Sequence, residues 1–274
     1  MTQHAWFHQF LRVTRASLAC GPKAVRVVHR SEIIRSGANV TLEKVAADVL
    51  PLFYRDFASI AASLEAGFFT STMQTTLARL PTAPSFQESH MAEALACIFA
   101  ESVLGLRRIY SKLALLTSEN ANAYKMDIVL YNPKTDPIEL VLTEVKSSTK
   151  TALDGLPAGH DKSCFADVFA SMNKYKPRDL SFDLVAAADR LSLVPEPDRQ
   201  RVREALLPYS ASPRRYAAIV VIDRGTFHPS EGTVLGTRRN AKTFDVDLLC
   251  VEDFGGVVTT VYDKLGRLRD ACSP

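Results

Sequence analysis

Asp127, Glu144 and Lys146 are the residues of this 274-residue chain whose types and spacing suit catalysis. They fall in one stretch from Tyr124 to Ser148, YKMDIVLYNPKTDPIELVLTEVKSS. Alternation over Met126 to Tyr131 and again over Ile138 to Lys146 predicts two strands, with Asn132, Pro133, Asp136 and Pro137 as the turn between them. Side chains two apart on a strand share a face, so Glu144 and Lys146 project together and Val145 points the other way. With Asp127 facing the same side from the neighbouring strand, two carboxylates can grip one divalent ion, and hard oxygen ligands suit Mg²⁺ or Mn²⁺. Such an ion polarises a phosphodiester oxygen and lowers the pKa of a bound water, while Lys146 orients that water or neutralises developing negative charge. The chemistry this predicts is metal-dependent phosphodiester hydrolysis.

An acid-x-Lys triplet is also common on half-exposed strands, where it is only a solvated ion pair. The surroundings weigh against that here. Ile138 to Thr143 is strongly apolar, which suggests a central strand where lone charges are costly. Asp127 likewise opens a hydrophobic run, DIVLY.

The elements that must position these residues can be read on either side. A helix is expected over Ser85 to Leu106, with Ser85 as N-cap, Glu88 at the capping-box position, and one apolar face of Met91, Leu95, Ile98, Phe99, Ser102 and Leu106. Glu93 lies on this helix, either turned towards the metal site or, like Glu88 and Glu101, on the wet face. His90 reads as a neighbour or an ordinary polar helix residue. Arg107 to Leu116 leads from that helix to the first strand, with Tyr110 and Lys112 either near the cleft or merely part of an alternating edge strand. After the hairpin, Ser147 to Ser163 reads as a mobile loop beside the Lys146 end of its strand. Helices follow over Cys164 to Tyr175 and Phe182 to Leu193, then a strand over Tyr216 to Asp223. Phe244 to Glu252 and, beyond a Gly255-Gly256 turn, Val257 to Tyr262 are expected to extend the sheet.

Val40 to Leu80 is helical in pattern, capped by Thr41 or Asn39 and interrupted by Pro51, and Val25 to His29 reads as a short strand. Pro81 and Pro84 mark a boundary. The expected division is a mainly helical N-terminal extension over residues 1–80 and a nuclease-like domain over residues 81–274.

Composition bounds the class without choosing an enzyme. With 47% hydrophobic residues and a net charge of +3, the chain can bury a substantial core and neither requires nor excludes nucleic acid. Local basic groups, Arg199, Arg201 and Arg203, then Arg214 and Arg215, then Arg238, Arg239 and Lys242, are candidates for phosphate contacts or for solvated surface. Five scattered cysteines with no CxxC pair support neither a zinc ribbon nor a disulfide framework. No uninterrupted apolar run is long enough to span a bilayer, so a cytoplasmic protein without a membrane partner is expected. No phosphate loop, HExxH, GxSxG or Rossmann glycine pattern occurs, so ATP hydrolysis by a phosphate loop is not expected of this chain.

The segment resembles the core of the PD-(D/E)xK nuclease superfamily, with Asp127 as the first acid and Glu144-Val145-Lys146 as the (D/E)xK element. Met126 stands where the superfamily has its proline. The resemblance implies an α/β (α+β) fold with a restriction-endonuclease-like core, a central mixed sheet flanked by helices. It implies catalytic roles for Asp127, Glu144, Lys146 and Glu93. It also implies a Mg²⁺ or Mn²⁺ site made by Asp127, Glu144, Glu93 and the Val145 backbone carbonyl. Within the superfamily the order of parts over roughly residues 85–265 is similar to the HamA-type family, the nuclease-like component of the bacterial Hachiman anti-phage system. That family implies a DNA-degrading effector acting with a separate helicase that supplies the ATP hydrolysis. Two alternatives remain: another PD-(D/E)xK enzyme such as a restriction-type endonuclease, and a catalytically inactive module of the same fold that binds nucleic acid without cutting it.

Overall fold

The computed structural model describes residues 4–17, 25–37, 40–55, 62–63, 65–115, 126–149, 164–226 and 242–272. Its centre is a seven-stranded mixed sheet. In chain order the sheet strands are β1 (Leu11–Ser17), β2 (Val25–Ile33), β3 (Arg107–Ser111), β4 (Ile128–Asn132), β5 (Glu139–Ser148), β6 (Arg214–Asp223) and β7 (Phe244–Val251). They lie side by side as β1-β2-β7-β6-β5-β4-β3. β3, β4 and β5 form an antiparallel meander with β3 at the edge, while β5, β6, β7 and β2 run parallel to one another. Parallel strands buried on both faces need near-continuous apolar sequence. β6 supplies it, since every residue from Ala217 to Ile222 is buried.

Eight α-helices are described: α1 (Leu42–Val49), α2 (Phe69–Leu77), α3 (Pro84–Ser102), α4 (Lys112–Leu115), α5 (Cys164–Lys174), α6 (Pro177–Ala188), α7 (Glu196–Leu206) and α8 (Phe254–Cys272). They cover the two faces of the sheet. One core joins α1, α3 and α8 to Ile128, Leu130, Val141 and Val145; the other joins α5, α6 and α7 to Val129, Tyr131, Leu140 and Leu142. The period of two along β4 and β5 thus sends alternate residues into different cores.

Several expectations need correction. Val257 to Tyr262 is not a strand but part of α8, because Val257, Val258, Val261, Tyr262 and Leu265 recur at helical spacing and are buried together. The β-branched valines prefer strands locally, and burial of this stripe overrides that preference. Gly255 and Gly256 lie inside the first turn of α8, and the chain reverses at Asp253 with φ 50°. The Asp253 carboxylate accepts from Gly256 N–H at 3.1 Å, and a Cβ at position 256 would collide with it.

α3 starts at Pro84, with Ala83 as N-cap and no side-chain cap, so Ser85 is not the cap. Glu88 instead accepts from the hydroxyls of Ser147 at 3.1 Å and Thr149 at 2.7 Å. His90 to Ala100 are all buried, so this helix is enclosed on every side rather than on one apolar face. α6 begins at Pro177, earlier than expected, with the Asp179 carboxylate accepting from Lys176 N–H at 2.9 Å. At α1 the expected Thr41 cap is present, accepting from Lys44 N–H at 3.3 Å, and Pro51 opens the 3-10 turn that follows.

The first eighty residues, expected as a mainly helical extension, also contribute β1 and β2 to the sheet. Phe7, Phe10, Ile33 and Tyr54 share one core with α3 and α8. Tyr124, Arg238, Arg239, Cys20 and most of the loop expected over Ser147 to Ser163 lie outside the described residues.

Candidate active site

The antiparallel register of β4 and β5 pairs Ile128 with Thr143, and one step further along it Asp127 stands opposite Glu144. Asp127 N–H donates to the Thr143 carbonyl at 3.2 Å, which carries the pairing to this position. Lys146, two residues on, is on the same side of β5. The hairpin therefore brings Asp127, Glu144 and Lys146 together on the face covered by α5.

Each carboxylate has a defined environment. Asp127 accepts from Val145 N–H at 2.7 Å on one oxygen and lies 3.3 Å from Lys112 Nζ on the other. Glu144, 5% exposed, is 2.5 Å from Lys146 Nζ and is also bonded by the Ser171 side chain on α5. Burial, then the nearby Asp127 charge, pushes the Glu144 carboxyl up to about 7, opposed by Lys146 and Ser171. Lys146 is held above the ordinary ammonium range, because Glu144, Asp127 and the exposed Asp167 outweigh its partial burial.

Glu93 is not on a wet face. It is 6% exposed and reaches the end of the hairpin from α3, on the opposite side of the sheet. Its Oε1 accepts from Leu113 N–H at 3.0 Å. Burial and then Asp127 push its carboxyl well up, while the Leu113 and Lys112 N–H groups and the Lys112 charge oppose the shift. Asp127 is thus the common neighbour of both shifted acids. The other two glutamates of α3 have partners elsewhere: Glu88 as above, and Glu101 with His4 at 2.8 Å and Arg108 at 3.2 Å.

His90 is a buried residue of α3 whose Nδ1 lies 2.7 Å from the Tyr54 hydroxyl, itself 3.1 Å from the Tyr262 hydroxyl. Burial and the Lys112 charge bring its imidazole down to about 4, so it is neutral at pH 7. It belongs to the packing behind Glu93 and not to the carboxylate group.

Two further residues belong here: Lys112, which the sequence left open between the cleft and an edge strand, and Asp183, which sequence reasoning did not single out. Lys112 follows directly on β3, and its N–H donates to the Asp127 carbonyl at 2.7 Å in addition to the side-chain pair. Asp183 of α6 is fully buried and accepts from Met126 N–H at 3.2 Å, the Tyr110 hydroxyl at 3.2 Å and the Tyr175 hydroxyl at 2.7 Å. Through Met126 it fixes the residue that carries the chain into Asp127. A fully buried carboxylate needs partners of this kind. Lys112 had a local signal, its place one residue beyond an edge strand; Asp183 had none, since its partners on β3 and before β4 are distant in sequence.

Among the described residues of the expected basic groups, four side chains are held by the fold itself. Arg199 donates to the carbonyls of Leu191 at 3.1 Å and Val194 at 3.3 Å, and Arg201 to that of Thr135 at 2.6 Å. Arg215 bridges Asp245 at 3.0 Å and Glu139 at 3.3 Å. Lys242 donates to the carbonyls of Met172 at 3.0 Å and Tyr175 at 2.5 Å.

Asp127, Glu144 and Glu93 offer the kind of oxygen donor that a hard divalent ion would take, and the Glu144 and Glu93 carboxyls are raised by burial and then by the Asp127 charge. Among the described residues, no group of three or more His, Cys, Asp or Glu side chains is placed so that it could hold a metal ion. Lysines and backbone N–H groups hold the carboxylates instead. No helix of the described residues is long and apolar enough to cross a membrane. A protein-family model, HamA, matches residues 22–248, which include every residue of this site. No curated protein matches the chain.

Proposed function

The chain belongs to the HamA family, a component of the Hachiman anti-phage defence system, and from that premise we propose that it is a divalent-metal-dependent nuclease that hydrolyses DNA. The observation that carries this reading is the pairing of Asp127 with Glu144 across β4 and β5, with Lys146 on the same face. A PD-(D/E)xK core is supported by the order of parts, helix α3, meander β3 to β5, helix α5 and parallel strand β6.

Asp127, Glu144 and Glu93 would hold Mg²⁺ or Mn²⁺, with the Val145 carbonyl beside them. The bound ion supplies positive charge to the phosphodiester and acidifies a water. The protein's own part is positional. Val145 N–H fixes the Asp127 carboxylate, Ser171 steadies Glu144, and Lys146, set free from Glu144, meets the charge that develops on phosphate oxygens. The chain has no phosphate loop, so the ATP-driven work is assigned to a separate helicase.

The test is cleavage of supercoiled, linear and single-stranded DNA with Mg²⁺ or Mn²⁺, with and without any helicase encoded beside it, against a Glu144→Ala/Lys146→Ala protein. Cleavage lost in the double variant supports the reading. Equal cleavage by both proteins places the chemistry elsewhere. A binding-only module of the same fold is favoured by one feature, the absence among the described residues of a group of three such side chains placed to hold a metal ion. DNA binding indifferent to Mg²⁺, with no cleavage in any condition, would select it.

A further inference from the structure

We propose that Lys112 is a counter-ion built into the carboxylate group, holding the Asp127 oxygen that a divalent ion takes, so that ion binding and release of the Lys112 ammonium are one competitive exchange. This deepens, and depends on, the metal-dependent reading of the same site.

The two oxygens of Asp127 are held differently. Oδ2 accepts from Val145 N–H at 2.7 Å, inside the hairpin, so Oδ1 is the oxygen more open to a cation, and Lys112 Nζ is 3.3 Å from it. The lysine is tied there by its backbone as well, through its N–H to the Asp127 carbonyl at 2.7 Å. Its charge also acts on Glu93 and His90 of α3.

Exposure separates the two lysines. The Lys112 side chain is 17% exposed against 28% for Lys146, so Lys112 is the more enclosed of the two cations. An ammonium is a compact point charge with three donors and stands in well for an ion among carboxylates. A divalent ion brings twice the charge to contacts of about 2.0–2.1 Å when it is Mg²⁺, so it displaces the ammonium when present. Two lysines holding the acids also account for the open arrangement of carboxylates.

The test is Mn²⁺ binding by the full chain without DNA, followed by loss of the free-ion paramagnetic resonance signal. The proteins compared are the natural protein, Lys112→Met, Lys112→Gln, Lys112→Arg and Asp127→Asn. Removing one unit charge a few ångströms from a divalent ion should tighten binding about tenfold or more in Lys112→Met. Lys112→Arg keeps the charge and should stay within about twofold of the natural protein, on the same argument. Should Lys112→Met lose its fold, checked by circular dichroism, Lys112→Gln carries the same expectation. Unchanged or weaker binding in the folded neutral variant, with Asp127→Asn still losing Mn²⁺, overturns the exchange and leaves the nuclease reading standing. Binding by neither the natural protein nor the neutral variants overturns both.

Discussion

Glu144 on β5 and Asp247 on β7 are two buried acids that the fold encloses alike and surrounds differently. Each is pushed up to about 7, by burial first and a neighbouring aspartate second: Asp127 for Glu144, Asp245 for Asp247. What surrounds them differs. Glu144 stands beside Asp127 at the end of a hairpin, with Lys146 at 2.5 Å and the Ser171 side chain bonded to it. Asp247 is flanked along its strand by buried Val246 and Leu248, and one of its carboxylate oxygens has no hydrogen-bond partner. Asp247 also feels the Arg215 guanidinium, so neither a displaced proton affinity nor the presence of both signs of charge marks a functional site by itself. The ion-paired row Glu139, Arg215 and Asp245 makes the same point from the other side. There a single guanidinium bridges two carboxylates across three strands, and the arrangement is structural.

The largest effects should come from breaking the Glu144 side of this comparison. Asp127→Asn and Glu144→Gln should each reduce DNA cleavage to background, measured as initial rates in saturating Mg²⁺. Neither should lower the melting temperature in chelator, because each removes one of several crowded like charges. A large drop in melting temperature would instead make the acid a structural residue. Lys146→Ala should cost ~10²–10³ in rate while Mn²⁺ binding survives, the pattern of a group that acts on developing charge. Loss of Mn²⁺ binding in that variant would count against the role.

How much of this was legible in sequence follows from where each signal is stored. The hairpin group was legible because a strand's period of two fixes faces without any tertiary information, and Asp127, Glu144 and Lys146 lie on adjoining strands. Glu93 was left open between two faces because a helix buried on every side has no wet face for its periodicity to reveal. Asp183 was silent, since its bond to Met126 joins residues 57 apart and depends on how α6 crosses the sheet. The parallel pairing of β2 with β7 joins the two ends of the chain and leaves no local trace. In α8 the local trace misled, because valines written at helical spacing also satisfy a short strand.

Asp183→Asn should have an intermediate effect. The amide can still accept from Met126 N–H and one phenol but cannot accept on both sides, so one buried hydroxyl loses its partner, a cost of about 1–3 kcal/mol. Asp127 then loses part of its fixed entry. Cleavage should fall about tenfold, with the loss in kcat rather than KM and with Mn²⁺ binding weakened, as expected when a positioning contact is loosened. A uniform loss of stability with unchanged kcat in the folded fraction would confine Asp183 to the core.

Asp247→Asn should leave cleavage untouched and change only stability, with a defined sign in pH. The Asp247 carboxyl has an ordinary value of 3.8 and a folded value of about 7, so between these the folded state holds a proton that the unfolded chain has released. Stability from this group therefore falls as pH rises from about 4 to 7, and above 7 the full cost of a buried carboxylate remains, on the order of a few kcal/mol. The asparagine has no such charge. Urea unfolding at pH 5 and pH 8 should show the variant gaining on the natural protein at the higher pH, whatever constant offset its amide adds. A difference that does not change with pH would mean that Asp247 is ionised in the fold at both values, and the resemblance to Glu144 would then be one of burial alone.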